Sequence, residues 1–451
     1  MPATGTLMMD VFGRSPSLAR PDSPHPETQM PAPDDLSARL PVPSPAPRGR
    51  RRLATAALAL LLLGGAYQAV GFRALLNFRQ HGLAYDLRLR WVEMRYVLAG
   101  QSPLDVYFAS KEGVEQYRLR TGRNAPPRAD LGVPHDAGYP PWSYLFGAAA
   151  FWPDWPAARV YWAAINAAAL AGTALWAASR AGGSRPLAWL LVGSVLACSS
   201  DATTLAMGQA GMVMVGLLAG SLAAMERGRD VAAGLLLGLA MFKPTTAAPF
   251  LFAALVAGRW RSVLAAGAYL LVACGATWAR VGVDPLEMTL QTVRSASLYI
   301  GDGTGPVNWL LAAGLSPEAA GRAAALGVFA LAATSMLLAR RRGPIAMFAI
   351  AAVACRLWTY HRSWDDNALI FLLVPLLGLA ARGRRAGLWL AAGAVGLSLW
   401  LPARLFMPDR FAYTTWTNLL QVVAWVVGAA TLCLAVDPAT ASAPTPGSPR
   451  P

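Results

Sequence analysis

The sequence predicts an all-helical, polytopic membrane protein, and three observations lead to this fold class. Of the 451 residues, 55% are hydrophobic and 14% are charged, and the mean hydropathy is +0.40. The apolar residues form runs long enough to cross a bilayer. Many arginines form short clusters between these runs, which is typical of cytoplasmic loops. A soluble globular protein would carry more charge.

The basic balance of the chain does not indicate a nucleic-acid partner. The chain has 39 Lys and Arg against 24 Asp and Glu, a formal net charge of +15. Because so many arginines lie in loops between apolar runs, the lipid bilayer is the predicted partner. The four cysteines lie within apolar runs without paired or metal-ligand spacing, so no disulfide framework and no metal site is predicted. No cofactor is predicted either.

The chain divides into two tails and a membrane domain. Residues 1–52 are rich in proline and serine and are expected to form a disordered cytoplasmic tail. Arginines before the run 53–72 predict a retained first membrane helix with a cytoplasmic N-terminus. The membrane domain is expected over 53–436, and 437–451 form a second cytoplasmic tail.

The apolar runs predict about twelve crossings, with the intervening arginine clusters on one side of the membrane together with both termini. The predicted spans after the first are 155–179, 186–200, 210–225, 231–242, 247–257, 262–278, 319–338, 344–360, 369–381, 388–401 and 415–436. The first loop on the far side, residues 73–154, is long.

Two segments depart from simple crossings. The apolar stretch that follows Tyr139-Pro140-Pro141 and ends at Trp152 is short, which favours a re-entrant or interfacial helix. Lys243-Pro244 interrupts the run 231–257, which favours two short helices meeting at a polar break. Irregular backbone at membrane depth needs surrounding protein or a water-filled cavity, so both segments indicate a cavity on the far side.

A series of short motifs lies on this far side. Asp86 begins the spaced pattern Asp-x4-Trp-x8-Gly-x2-Pro-x3-Tyr, which ends at Tyr107. The later motifs are Tyr139-Pro140-Pro141, Gly208-Gln209, Lys243-Pro244 and Ser363-Trp364-Asp365. In order and spacing they resemble glycosyltransferase family 87, the polyprenol-phosphate-sugar-dependent transferases of the GT-C class, over most of 53–436. That family includes mannosyltransferases of bacterial glycolipid assembly.

The resemblance implies a GT-C-type fold and an inverting membrane hexosyltransferase that uses Asp86 as its catalytic base. A carboxylate in this loop would deprotonate an acceptor hydroxyl, which then attacks the sugar of a lipid-phosphate donor. The implied partners are a polyprenyl-phosphate sugar, with mannose favoured, and a glycolipid or glycan acceptor. The implied location is the plasma (inner) membrane, with the site facing the extracytoplasmic side.

Cations are expected beside the donor phosphate. Lys243 and Arg356 are charges within apolar runs, which are functional candidates by default. Arg88 lies just beyond Asp86, and a guanidinium suits phosphate. The substrate-binding candidates are Tyr139, Gln209, His361, Trp364 and Asp365.

Each assignment has an alternative. Asp86 could be a loop carboxylate paired with an arginine, Lys243 a snorkelling lysine, His361 an interfacial histidine and Trp364 an interfacial anchor. The pair Asp365-Asp366 favours helix capping or solvation over a metal, since adjacent residues of an extended segment point apart. At the level of the whole protein, a transporter and a non-catalytic envelope-assembly subunit stay open.

Overall fold

Helices make up nearly all of the regular structure. The computed structural model describes residues 47–78, 83–134, 139–297, 305–359, 362–383, 385–402 and 415–436. Within these ranges the chain forms no strand beyond an isolated bridge between Arg128 and Gly132. The helices are α1 Pro47–Leu75, α2 Tyr85–Leu98, α3 Pro103–Glu112, α4 Val114–Thr121, α5 Ser143–Phe151, α6 Trp155–Ser179, α7 Arg185–Leu196, α8 Ser199–Met207, α9 Gly211–Glu226, α10 Asp230–Ala240, α11 Pro244–Val256, α12 Trp260–Val281, α13 Pro285–Ser297, α14 Pro306–Ala312, α15 Pro317–Ala339, α16 Gly343–Leu357, α17 Ile370–Gly383, α18 Ala386–Trp400 and α19 Thr415–Ala435, with 3₁₀ turns at Arg340–Arg342 and Ser363–Leu369.

Six helical segments of the described chain are long and apolar enough to cross a bilayer, or seven if α7 and α8, which meet at 43°, form one bent span. The six are Gly49–Leu75, Trp155–Ser179, Trp260–Val281, Pro317–Leu357, Trp364–Gly383 and Trp416–Ala435. Helices α9, α10, α11 and α18 are apolar but have 10–17 residues, below the ~20 that a crossing needs. The multi-pass, all-helical membrane class is confirmed, whereas the predicted number of about twelve crossings is not.

The longest of these segments folds back on itself. The 3₁₀ turn Arg340–Arg342 separates α15 from α16, and the two helices pack together. The rings of Phe329 and Trp358 lie 4.9 Å apart between centroids, edge to face. In one continuous helix these residues would be roughly 44 Å apart, so the chain reverses direction at the arginine turn.

Helix α17 forms the centre of the fold. Its span is 83% buried, against 22% for the first span. The ring of Phe371 packs edge to face on Phe250 of α11 and on Phe348 of α16. This packing fixes the 3₁₀ turn Ser363–Leu369, which leads directly into α17.

Arginine clusters meet at one end of the bundle. Arg180, after α6, forms a two-pronged ion pair with Glu226 of α9, and Arg382 of α17 donates a hydrogen bond to the Arg180 carbonyl at 3.2 Å. Arg342 donates to the Val436 carbonyl after α19 at 2.6 Å. These contacts agree with the prediction that the arginine clusters share one side.

Other helix ends meet the segment 83–134. Trp91 of α2 donates to the Pro153 carbonyl, just before α6, at 2.8 Å. Arg280, near the end of α12, donates to the Leu98 carbonyl at the end of α2. The side of the bundle that carries Asp86 therefore also carries α2, α3, α4 and α13.

Candidate functional site

A glycine turn brings two distant parts of the chain together at Asp86. Gly208 ends α8 with φ +72°, the left-handed conformation that glycine adopts without a side-chain clash. A Cβ at this position would lie 2.4 Å from Cβ of Leu87 on α2. The Ala84 amide also donates to the Ala206 carbonyl at 2.8 Å. The next residue, Gln209, is consequently held beside the first turn of α2.

Asp86 is partly exposed at the start of α2. Gln209 Nε2 donates a hydrogen bond to Asp86 Oδ2 at 2.6 Å. Burial raises the pKa of Asp86, and the Gln209 hydrogen bond lowers that pKa in part. Three nearby cations, Arg90, Lys243 and Arg362, also lower it. The site is thus a carboxylate oriented by a neutral amide and surrounded by positive charge.

Arg90 shares the helix face of Asp86, whereas the predicted phosphate ligand Arg88 is exposed. Residues four apart are neighbours on a helix, and residues two apart are not. The Arg90 guanidinium lies 4.4 Å from the ring centroid of Tyr139, and its Nη1 lies 2.7 Å from Glu93. The i, i+4 spacing from Asp86 would have singled out Arg90.

The break at Lys243 has the predicted form, since α10 ends at Ala240 and α11 begins at Pro244. Breaking a helix frees backbone carbonyls, which need other donors. Trp142 Nε1 donates to the Met241 carbonyl at 2.8 Å, and Ser143 Oγ donates to the Phe242 carbonyl at 3.0 Å. Residues at the start of the short helix α5 thus supply hydrogen-bond donors to two carbonyls that the break leaves without helical partners.

Tyr139 packs against both the Lys243 break and α2. Its ring stacks on that of Phe242, with centroids 4.7 Å apart, and the Arg90 guanidinium lies over it. Tyr139 therefore links the helix break to the face of α2 that carries Asp86.

Lys243 forms an ion pair with Asp365, and the two side chains are 13% and 6% exposed. Arg356 of α16 forms a second ion pair with the adjacent Asp366, and both side chains are almost fully buried. The expected solvation of the two aspartates is wrong, because both are buried and each forms an ion pair with a cation outside the turn that carries them. Two ion pairs thereby fix the 3₁₀ turn Ser363–Leu369 to the Lys243 break and to α16.

Of the remaining predicted residues, Trp364 lies on this turn. The Trp364 carbonyl accepts a hydrogen bond from Thr204 at 3.0 Å, and the Arg362 guanidinium lies 5.2 Å from the Trp364 ring centroid. His361 lies outside the described residues.

The described part of the site brings Asp86, Gln209, Tyr139, Lys243 and Asp365 together. Sequence reasoning proposed no role for Arg362, which follows the predicted His361 directly and whose charge acts on Asp86. Chemically, the arrangement can hold a carboxylate ready to accept a proton and can attract an anionic group. Among the described residues, no group of three or more His, Cys, Asp or Glu side chains is placed to hold a metal ion.

Comparison with known proteins identifies the family. A search of curated proteins and a search of solved structures found no match to the chain. The family profile described as Glycosyltransferase family 87 matches residues 138–359. The matched segment includes Tyr139, Gln209, Lys243 and Arg356, and Asp86 lies before it. The chain belongs to glycosyltransferase family 87 and is a membrane glycosyltransferase.

Proposed function

We propose that the protein transfers a hexose, with mannose favoured, from a polyprenyl-phosphate donor to a glycolipid or glycan acceptor with inversion. The observation that carries this proposal is the setting of Asp86. Its Oδ2 accepts a hydrogen bond from Gln209. Arg90, Lys243 and Arg362 lie near enough to lower its pKa, but its described contacts include no ion pair. Family membership supports a sugar donor and an acceptor as partners. The finer choice of donor, sugar and stereochemistry rests on the resemblance of the motifs.

In the proposed step, Asp86 accepts the proton of an acceptor hydroxyl. The hydroxyl oxygen forms a bond to the anomeric carbon on the face opposite the phosphate. The bond between that carbon and the phosphate oxygen breaks, and the polyprenyl phosphate leaves with the electron pair. A base within hydrogen-bond reach is useful because a neutral hydroxyl is a weak nucleophile.

Positive charge stabilises the leaving phosphate. Of the proposed phosphate ligands, Lys243 is the best supported, because its charge acts on Asp86 and its side chain retains some exposure. Arg90 and Arg362 also act on Asp86. The buried pairing of Arg356 with Asp366 favours a structural contribution from that arginine, and the exposed Arg88 favours an outer contact with the donor.

The remaining candidates receive roles that follow from their position. Gln209 orients Asp86, so that Oδ1 remains for the acceptor hydroxyl. Tyr139 holds the Arg90 guanidinium. Asp365 anchors Lys243, and Trp364 offers a ring beside Arg362 for a sugar. His361 remains a candidate substrate contact.

We further propose a location in the plasma membrane with the Asp86 side extracytoplasmic. The gathering of arginine clusters at one end of the bundle supports a cytoplasmic assignment for that end. About twelve crossings, tails at 1–52 and 437–451 in the cytoplasm and a catalytic domain at 53–436 complete the proposed arrangement. Cysteine-accessibility labelling of substitutions at Arg227 and Asp130 tests it, because the two sites should react from opposite sides.

The proposed activity is tested by sugar transfer from radiolabelled polyprenyl-phosphate mannose into a membrane lipid extract. Asp86→Asn should reduce transfer by about 10²–10⁴-fold while the protein stays folded. Asp130→Asn is the matched control, because Asp130 is an exposed carboxylate of the same loop, paired with Arg128. Equal transfer by Asp86→Asn and wild type would remove Asp86 from the mechanism. Absence of transfer from every lipid-linked hexose tried would favour a transporter or an assembly subunit.

A further inference from the structure

Two threonines from later helices hold the backbone of segment 139–141. Thr277, near the end of the membrane-spanning α12, donates from Oγ1 to the Pro141 carbonyl at 2.8 Å. Thr292 of α13 donates from Oγ1 to the Tyr139 carbonyl at 3.1 Å. Both threonines are buried, so water competes little for these carbonyls. The segment is therefore clamped at its first and last residues.

The two hydroxyls differ in the acceptors that they reach. Oγ1 of Thr292 also lies 2.9 Å from the Met288 carbonyl, four residues earlier in α13. Such a bond within a helix is common for threonine, and it would not hold segment 139–141. The described acceptor of Thr277 is the Pro141 carbonyl, which lies in another part of the chain. Thr277 is thus the stronger of the two clamps.

Helix α13 is itself fixed to the first loop. The Arg123 guanidinium donates to both carboxylate oxygens of Glu287, at 2.8 and 2.6 Å. Arg123 also forms an ion pair with Asp105, in which Nε lies 2.8 Å from Oδ2. Gln291 Nε2 donates to Oδ1 of Asp105 at 3.3 Å. Because Thr292 directly follows Gln291, these contacts fix its position relative to the first loop.

The clamped segment reaches the candidate site through the ring of Tyr139. This ring stacks on Phe242, and the Arg90 guanidinium lies 4.4 Å from its centroid. Arg90 is four residues beyond Asp86 on α2, so the two share a helix face, and its charge lowers the pKa of Asp86. Glu93 also contacts the guanidinium, with Nη1 2.7 Å away. A displaced ring would remove one of the contacts that fix the guanidinium.

We propose that Thr277 and Thr292 are positioning residues for sugar transfer. Their hydroxyls hold segment 139–141 in place, so that the Tyr139 ring keeps the Arg90 guanidinium next to Asp86. They act through Tyr139 and Arg90 rather than by touching a substrate. The proposal rests on the proposed role of Asp86 as the base.

The test is the double variant Thr277→Val/Thr292→Val, which removes both hydroxyls at nearly constant volume. A misplacement of about 1 Å in a site can cost about 10²-fold in rate, so kcat/KM for transfer from polyprenyl-phosphate mannose should fall by about 10–100-fold. The acid limb of kcat/KM should move to higher pH, because the Arg90 charge then lowers the pKa of Asp86 less. Thr277→Ser/Thr292→Ser keeps the hydroxyls and should stay near wild type.

The matched control is Thr173→Val/Thr289→Val. These two hydroxyls donate to carbonyls of their own helices, at Ala169 and Pro285, with distances of 2.8 and 2.7 Å. Thr289 lies on α13, and Thr173 is buried in the membrane-spanning α6. The control should leave both kcat/KM and its acid limb unchanged.

The protonation of Asp86 can also be followed without sugar transfer. A hydrophobic carbodiimide reacts with protonated carboxyl groups, and peptide mass spectrometry locates the label on Asp86. The pH midpoint of labelling should rise in the double valine variant and in Tyr139→Leu, which removes the ring. In the Tyr139→Leu background the two valine substitutions should add nothing to the shift, because they act through that ring.

An unchanged kcat/KM and labelling midpoint in the valine variant, with a thermal unfolding midpoint near that of wild type, would overturn the proposal. A loss of kcat/KM without a shift in the labelling midpoint would overturn it too, since the threonines would then act on stability alone. If the valine variant does not fold, an unmoved labelling midpoint in Tyr139→Leu has the same meaning. If the wild type transfers no lipid-linked hexose, the proposed function fails, whereas the labelling midpoint still decides the positioning role.

Discussion

Two sets of carboxylates on the same side of the bundle differ in whether a direct ion pair neutralises their charge. Asp365 and Asp366 are buried, and each is neutralised by its own cation, Lys243 and Arg356. Asp86 is partly exposed, is held by the neutral amide of Gln209 and has cations near it but no ion pair among its described contacts. A carboxylate that stabilises a fold has its charge matched, whereas one that takes a proton keeps an oxygen accessible.

The largest expected effect is on activity. Asp86→Asn should reduce sugar transfer by about 10²–10⁴-fold, the usual contribution of a general base. It should not lower thermal stability. Burial raises the folded-state pKa of Asp86 above its unfolded value of 3.8. Ionisation of Asp86 therefore destabilises the folded protein as the pH rises from the unfolded to the folded pKa. The neutral asparagine avoids this cost, and unfolding midpoints at neutral pH check it.

The paired carboxylates should behave in the opposite way. Arg356→Met leaves the buried Asp366 without its cation and should destabilise the protein by about 3–5 kcal/mol. The double variant Arg356→Met/Asp366→Leu should recover most of that loss, because a buried ion pair can be replaced by apolar groups of similar volume. Denaturant unfolding measures both. A double variant as unstable as the single one would contradict the structural role of the pair.

The glycine turn that carries Gln209 offers a sharper test. Gly208→Ala forces a left-handed alanine and a clash with Leu87, so it should cost about 1–3 kcal/mol beyond the backbone term and also reduce transfer. Gly258→Ala is the matched control, with φ +73° and open space around a Cβ. It should cost about 1–2 kcal/mol in stability and leave transfer unchanged. Equal transfer rates in both variants would contradict the positioning role of the turn.

The smallest expected effect is a change in pH dependence. The hydrogen bond from Gln209 lowers the pKa of Asp86, so Gln209→Leu should raise that pKa. Because the base must be ionised, the acid limb of kcat/KM should move to higher pH. Gln101→Leu is the control, since Gln101 donates to the Pro126 carbonyl away from Asp86. An unmoved acid limb would contradict the effect of Gln209 on the pKa of Asp86.

Sequence patterning predicted the local features of the fold well. Helix α6 has the predicted bounds, the break falls at Lys243, and the stretch after Tyr139 forms the short helix α5. Each of these features depends on hydrophobicity, proline and charge within a few neighbouring residues. The Arg340–Arg342 turn falls in the gap between the predicted spans 319–338 and 344–360, whereas the bend between α7 and α8 lies inside the predicted span 186–200.

The contacts of the site could not be predicted in the same way. Lys243 and Asp365 are 122 residues apart, and Gln209 and Asp86 are 123 apart. No local pattern in one sequence links such positions, because their pairing depends on how the helices pack. Arg90 is different, since its helical spacing from Asp86 was visible and would have favoured it over Arg88.

The break at Lys243 also has a consequence for synthesis. Its carbonyl partners Trp142 and Ser143 precede it by about a hundred residues, so they have left the ribosome when α10 is made. Asp365 follows Lys243 by 122 residues. The lysine therefore enters the membrane before Asp365 is made, and an ammonium at that depth is costly until the carboxylates around it are in place. Insertion of the span Trp364–Gly383 thus brings in the carboxylate that pairs with Lys243, and truncation before Asp365 should leave α10 and α11 accessible to quality-control proteases.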